Sequence, residues 1–269
     1  MDRRAIGVFD SGLGGLTAVK QIMAALPGED IIYLGDTGRV PYGGRSRETI
    51  IKYALEDTRF LCGFDIKSLV IACGTVSTNA LAEVEAAAGV PVFGVAEAAV
   101  KKAAEVTKNH KIGLIGTNAT VKSGVFERKL TEIMPDVKFF AKACPLFVPL
   151  VENGKTSPDD VALGAIAREY LAPLKEAGVD TLILGCTHYP LIAETIGGIM
   201  GEGVTLINTG AETALALERL LRGGDMLSDK AAGECRYYVT DSTEGFEAAA
   251  SLFLETDVSG TAQRVSLGE

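Results

Sequence analysis

Residues 5–11 read Ala5-Ile6-Gly7-Val8-Phe9-Asp10-Ser11, and residues 111–117 repeat that pattern as Lys111-Ile112-Gly113-Leu114-Ile115-Gly116-Thr117. In each half an apolar run that ends in cysteine follows: Cys73 lies 67 residues after Ile6, and Cys186 lies 74 residues after Ile112. A Gly-Val-x-Val/Leu segment then follows each cysteine, at 89–92 and 203–206. Three matches in one order indicate an internal repeat, which predicts two similar domains.

Short β-branched runs alternate along the whole chain with longer Ala- and Glu-rich segments of helical period. The predicted strands are 5–9, 30–34, 67–72, 91–95, 111–115, 137–141, 180–184, 204–207 and 236–240. The predicted helices are 14–26, 47–62, 76–88, 97–108, 119–133, 159–177, 189–200, 210–222 and 243–254. This alternation predicts an α/β fold with mainly parallel sheets flanked by helices.

The repeat also predicts how the domains are arranged. We expect a first domain of residues 1–96 plus 209–269 and a second domain of residues 97–208, related by a pseudo-two-fold axis. Ligands of open α/β sheets bind beyond the carboxyl ends of the strands. If the domains face each other, these ends converge, and the active site is expected in the interdomain cleft.

Composition excludes several classes of partner. The chain has 269 residues, 47% of them hydrophobic, and a formal net charge of −9 without a basic stripe. Nucleic acid and membrane are therefore not expected partners, and no signal peptide or membrane span is recognised. Five cysteines without a CxxC pair fit a reduced, cytoplasmic compartment, and two histidines argue against a metal centre.

The two matched cysteines carry the chemistry. Cys73 and Cys186 each precede a predicted helix N-terminus, which lowers a thiol pKa from its usual value of about 8.5. One such cysteine is more often an inert core residue, but two at matched positions of a repeat favour a function. Two thiols that face one pocket can remove a proton from one face of a carbon and return it to the other. The pair predicts a racemase.

Two glycine-containing segments have alternative interpretations. The turn 10–15 lacks the third glycine of a dinucleotide-binding motif, because Thr17 stands at that position. It is either a capped strand-to-helix turn or a site whose N–H groups bind a small carboxylate. The long segment 33–46, which contains Pro41-Tyr42-Gly43, is either a surface turn or a functional loop.

A third segment, 144–154, contains two prolines and is predicted to be an extended crossover. Glu152 within it is a candidate to orient His188, which lies two residues beyond Cys186. Thiol, imidazole and carboxylate would then form a proton-handling set. Asp10 is the corresponding candidate partner of Cys73.

Together these segments resemble the glutamate racemases of the cofactor-independent aspartate/glutamate racemase superfamily, from about residue 5 to about residue 215. The matching residues are Val8-Phe9-Asp10-Ser11-Gly12, Gly35-Asp36-Thr37, Pro41-Tyr42-Gly43, Cys73, Cys144 to Glu152, and Leu184-Gly185-Cys186-Thr187-His188-Tyr189-Pro190. The resemblance implies interconversion of L- and D-glutamate with no cofactor, and a supply of D-glutamate for peptidoglycan. It also allows a homodimer.

The resemblance implies that Cys73 and Cys186 are the catalytic bases, which act on D- and L-glutamate respectively, and that Asp10, Glu152 and His188 tune them. The implied substrate-binding residues are Asp10, Ser11, Pro41, Tyr42, Gly43, Gly74, Thr75, Thr117, Thr187 and His188. Where the family usually has Asn after the first cysteine, this chain has Gly74. This departure removes one side-chain hydrogen-bonding group from the site.

Two alternatives therefore stay open. One is a racemase of another acidic amino acid such as aspartate, which Gly74 would permit. The other is a non-catalytic acidic amino acid binding protein in which both cysteines are core residues. The reactivity of the cysteines separates an enzyme from a binder, since catalytic thiolates are alkylated and are protected by substrate.

Overall fold

The computed structural model describes residues 1–268. Within this range the strands are β1 (Ala5–Asp10), β2 (Ile31–Gly35), β3 (Ile66–Ile71), β4 (Val92–Gly94), β5 (Lys111–Gly116), β6 (Lys138–Ala143), β7 (Thr181–Leu184), β8 (Thr205–Asn208), β9 (Cys235–Val239) and β10 (Ala262–Arg264). The α-helices are α1 (Leu16–Ala25), α2 (Arg47–Cys62), α3 (Gly74–Asn79), α4 (Leu81–Ala88), α5 (Val95–Val106), α6 (Asn118–Lys122), α7 (Val125–Ile133), α8 (Phe147–Glu152), α9 (Val161–Ala177), α10 (Ala193–Met200), α11 (Thr209–Gly223) and α12 (Thr243–Leu254). None of the described helices is long and apolar enough to cross a bilayer.

The strands form two sheets in which every pairing is parallel. The first sheet has the order β10-β9-β2-β1-β3-β4, and the second has the order β6-β5-β7-β8. All residues of β1 and β3 are buried, because helices cover both faces of the first sheet. Strands that are buried on both faces read as continuous apolar runs. The predicted α/β fold is confirmed.

The internal repeat corresponds to a shared topology. The order β2-β1-β3-β4 in one sheet matches β6-β5-β7-β8 in the other, with β1 and β5 as the repeated stretches. Cys73 follows β3 and Cys186 follows β7. Strands β9 and β10 belong to the first sheet, in which β9 pairs with β2 and β10 pairs with β9. The domain limits at 96/97 and 208/209 stay a prediction, and the first of them falls within the first turn of α5.

Several predicted helices are interrupted, and one strand is new. The helix predicted at 76–88 divides into α3 and α4, and the one at 119–133 divides into α6 and α7 at Gly124, which has a φ of 64°. The helix predicted at 189–200 begins with a 3₁₀ turn over Tyr189–Ile192. Strand β10 was not predicted.

The segment 144–154 was wrongly predicted as extended, since it contains α8. Pro149 is the third residue of this helix, where a backbone N–H has no intrahelical partner to lose. Two prolines in the sequence therefore did not prevent a helix. Glu152 is the last residue of α8, and its side chain contacts His188, which follows β7.

Candidate active site

A cavity of about 400 Å³ lies between the carboxyl ends of the two sheets. Its walls are the segments that follow β1, β2 and β3 on one side and β5, β6 and β7 on the other. The predicted site residues that line it are Ser11, Pro41, Tyr42, Gly43, Cys73, Gly74, Thr75, Thr117, Glu152, Cys186, Thr187 and His188. Of all the predicted site residues, only Asp10 is not part of this lining.

Asp10 lies behind the cavity wall and is buried. Its Oδ1 accepts a hydrogen bond from the N–H of Gly12 at 2.9 Å, and its Oδ2 has no hydrogen-bond partner among the described residues. Burial raises the pKa of this carboxyl group. Contact between Asp10 and substrate stays a prediction. The hydrogen bond between Asp10 and Gly12 shapes the turn after β1.

Cys73 is buried and lies immediately before the first residue of α3. Its Sγ donates to Ser11 Oγ at 3.5 Å. Burial and the neighbouring Asp10 carboxylate raise the pKa of the Cys73 thiol to about 12, although contacts with Ser11 and with the N–H of Val76 oppose this. The expectation of a lowered pKa is wrong for Cys73, because α3 has only six residues and desolvation outweighs its dipole.

Cys186 has different partners. Its Sγ lies 3.8 Å from His188 Nδ1, and His188 Nε2 lies 3.0 Å from Glu152 Oε1. Burial disfavours the charged imidazole, but hydrogen bonds with Cys186 and Glu152 outweigh it and raise the pKa of His188 to about 10. The predicted contact between Glu152 and His188 is thus present. It places a positively charged imidazole beside Cys186 at neutral pH.

Hydrogen bonds join the two sides of the cleft around the cavity. The hydroxyl groups of Thr75 and Thr117 lie 2.8 Å apart. The carbonyl of Gly43 accepts from the N–H of Ala119 at 3.2 Å. On the other side of the cavity, Thr17 Oγ1 donates to the carbonyl of Thr187 at 2.7 Å. The two sides of the cleft are therefore in direct contact.

Gly74 lies at a close contact between the two sides of the cleft. A Cβ at this position would lie 2.2 Å from the carbonyl oxygen of Gly185, the residue before Cys186. Carbon and oxygen atoms do not approach so closely, and only glycine fits without a shift. The departure from the family pattern at Gly74 thus coincides with a close backbone approach between the two cysteine segments.

Some lining residues were not among the predicted site residues. They are Gly12, Val40, Gly44, Asn118, Cys144, Pro145, Val148, Pro149 and Gly185. Asn118 follows β5 directly, and the rule that ligands bind at strand ends could have identified it. Pro145, Val148 and Pro149 reach the cavity because of α8, which the sequence did not predict.

Comparison with known proteins agrees with this geometry. A family model described as Asp/Glu/Hydantoin racemase matches residues 14–217. The chain is also 47% identical over 255 residues to a glutamate racemase of Geobacter metallireducens, which covers 94% of each protein. The chain belongs to the glutamate racemase family. The predicted resemblance is confirmed.

Solved structures of this family share the whole fold. A glutamate racemase isoform from Bacillus anthracis has a TM-score of 0.95 at 38% identity, covering 99% of this chain and 98% of that one. A glutamate racemase from Francisella tularensis, solved in complex with D-glutamate, has a TM-score of 0.92 with the same identity and coverage. The likeness to glutamate racemases thus extends to β9 and β10, beyond the end of the family-model match at residue 217.

Proposed function

We propose that this chain interconverts L- and D-glutamate by removing and returning the α-proton, with Cys73 and Cys186 as the two bases. The observation that carries the proposal is that both cysteines, each at the end of a strand of a different sheet, line one cavity. The family membership supports glutamate as the substrate, and so does the D-glutamate bound by the Francisella tularensis relative.

In the direction from L- to D-glutamate, the Cys186 thiolate takes the α-proton and the bonding electron pair stays on the α-carbon. The Cys73 thiol then gives its proton to the opposite face of that carbon. The enzyme is left with a thiol at 186 and a thiolate at 73, which is the form that accepts D-glutamate. The substrate enters and leaves with the same number of atoms and electrons.

The electrostatics of the site support this assignment of roles. His188 is positively charged at neutral pH, since its pKa is about 10, and it favours a negative charge on Cys186. Cys73 carries its proton, since its pKa is about 12. This difference between the two sides supports Cys186 as the base for L-glutamate and Cys73 as the acid that returns the proton. Glu152 contributes by holding His188 in place and favouring its charge.

The developing carbanion needs stabilisation from the walls of the cavity. The hydroxyl groups of Thr75 and Thr117 lie 2.8 Å apart, and both residues line the cavity together with Ser11 and Thr187. Preorganised dipoles in a closed site stabilise such charge more strongly than water does. None of the described residues that line the cavity is a lysine, so the site offers no amine for a Schiff base. This supports a reaction that does not use pyridoxal phosphate.

The proposed substrate-binding residues are Asp10, Ser11, Pro41, Tyr42, Gly43, Gly74, Thr75, Thr117, Thr187 and His188. The proposed domains are residues 1–96 plus 209–269 and residues 97–208, with the substrate between them. D-glutamate made here would supply peptidoglycan synthesis in the cytoplasm, and the five free cysteines support that compartment. A homodimer remains a prediction, which sedimentation of the purified protein tests.

Proton NMR in D₂O tests the function directly. With L-glutamate, the α-proton signal should disappear while the D-isomer accumulates to an equal amount, because enantiomers have the same free energy. L-aspartate is followed in parallel. If aspartate reacts and glutamate does not, the chain is a racemase of aspartate and not of glutamate. No exchange with either substrate, together with unreactive cysteines under iodoacetamide, would favour a binding protein.

A further inference from the structure

The wall of the cavity contributed by the first sheet depends on a loop without regular structure. This substrate-facing loop consists of residues 36–46, between β2 and α2. Val40, Pro41, Tyr42 and Gly43 within it line the cavity. A segment of this kind keeps one shape only if side chains hold it, because it has few backbone hydrogen bonds of its own.

Arg39 is the residue that ties the substrate-facing loop to α2. Its Nε donates to Asp36 Oδ2 at 2.5 Å, and one terminal nitrogen donates to Asp57 Oδ1 at 3.0 Å. The other terminal nitrogen is paired with Glu56. The Cζ atom of Arg39 also lies 4.2 Å from the centre of the Tyr53 ring. One side chain thus contacts three carboxyl groups and an aromatic ring.

The same cluster reaches the cavity through Tyr42. The Tyr42 side chain is buried, and its hydroxyl group donates to Asp36 and lies 3.5 Å from Asp57 Oδ2. Two of the three carboxyl groups that bind Arg39, those of Asp36 and Asp57, therefore also contact Tyr42 of the cavity wall. A change in the position of Arg39 would be passed to Tyr42 through these shared partners.

A residue of the C-terminal segment completes the cluster. Thr240, directly after β9, donates from Oγ1 to Asp36 Oδ1 at 2.8 Å and accepts from the N–H of Gly38 at 2.8 Å. Thr240 lies beyond residue 217, where the family model ends. The addition of β9 to the first sheet thus supplies a second support for the substrate-facing loop.

The charges of the cluster show why arginine is required. Asp36 and Asp57 are fully buried, and a single guanidinium faces both of them and Glu56. Buried carboxyl groups are tolerated only when they are paired and hydrogen-bonded. Burial and the nearby Asp36 raise the pKa of Asp57, and the charge of Arg39 opposes this rise. A lysine has one nitrogen and cannot reach three partners in one plane.

We propose that Arg39 is the positioning residue of the substrate-facing loop, and that it sets the strength of substrate binding without taking part in proton transfer. The proposal rests on the proposed function for its kinetic readout, but not for its structural one. It predicts that loosening the cluster weakens binding of substrate and transition state alike. In kinetic terms, KM rises and kcat stays nearly constant.

The test compares Arg39→Lys with Arg45→Lys. Arg45 lies in the same loop, is exposed and does not line the cavity, so its variant makes the matched chemical change without touching the cluster. The first readout is amide hydrogen exchange of peptides that span residues 36–46, which needs no activity. Loss of one charge-assisted contact should speed exchange there by about tenfold in Arg39→Lys. The second readout is KM for L-glutamate, which should rise by about tenfold with kcat within about twofold.

Thr240→Val provides a second variant if Arg39→Lys fails to fold. This substitution removes the hydroxyl group that accepts from the N–H of Gly38 and keeps the shape of the side chain. Amide hydrogen exchange at Gly38 should therefore increase, while exchange in α9, which serves as the internal control, should not change. Unchanged exchange across 36–46 in both variants would overturn the proposal, and so would a fall in kcat at constant KM. If the wild type racemises neither substrate but exchange in the loop still increases, the proposed function fails and the role of Arg39 stands.

Discussion

Glu152→Gln is the change that tests the proton-handling set most directly. It keeps the size of the side chain and removes its negative charge, so His188 loses a charged partner at 3.0 Å. A hydrogen bond to a charged group contributes about 1.5–3 kcal/mol. The Glu152 side chain is 36% exposed, which places its contribution at about the lower end of that range. About 1.4 kcal/mol corresponds to about one pH unit in the pKa of His188.

The consequence appears in the pH profile. His188 must be protonated to favour the Cys186 thiolate, and in the wild type it loses its proton as the pH rises through about 10. In Glu152→Gln the alkaline fall of kcat/KM should begin about one pH unit lower. Because the two enantiomers have equal free energy, kcat/KM must change by the same factor in both directions.

The assay is racemisation followed by circular dichroism, starting from L-glutamate and separately from D-glutamate, over the range from neutral pH to about pH 10.5. Glu169→Gln is the control, because Glu169 is exposed on α9 and lies outside the cavity lining. If kcat/KM of Glu152→Gln falls over the same alkaline pH range as kcat/KM of the wild type, the role of Glu152 is refuted. A fall in kcat/KM of equal size at every pH would also refute it.

Three further predictions concern the two cysteines, His188 and Gly74. Replacing Cys73 or Cys186 by Ser should lower kcat by about 10²–10⁴-fold, because a hydroxyl group is a much weaker acid than a thiol. Circular dichroism measures the rate, and racemisation at the wild-type rate in either variant would contradict the two-thiol mechanism. The folded-state pKa of His188 lies above its ordinary value of 6.5, so its contribution to stability is complete below pH 6.5 and is lost as the pH rises through about 10. The urea midpoint should therefore fall over that interval, and a constant midpoint would count against the charged imidazole. Gly74→Asn should reduce the free energy of unfolding by about 1–3 kcal/mol, because its Cβ meets the carbonyl of Gly185. Urea unfolding measures this free energy, and an unchanged value would show that the backbone around residue 74 shifts at little cost.

The sequence by itself determined the architecture and the pair of thiols. Parallel strands covered on both faces are continuous apolar runs, so β1, β3, β5 and β7 could be read directly from the chain. The residues that follow such strands meet at one edge of each sheet. This rule was enough to bring Cys73, Thr117 and Cys186 to a common cavity.

Only the tertiary structure decided which neighbours each of these groups has. Asp10 and Ser11 are adjacent in the sequence, yet only Ser11 faces the cavity. The pKa of Cys73 is raised, because burial is a property of all the surrounding elements and not of the helix that follows it. Arg39 and Thr240 are about 200 residues apart, and they share Asp36 only because β9 pairs with β2. Local periodicity determines strands and their ends, whereas contacts between distant residues depend on how the sheets are assembled.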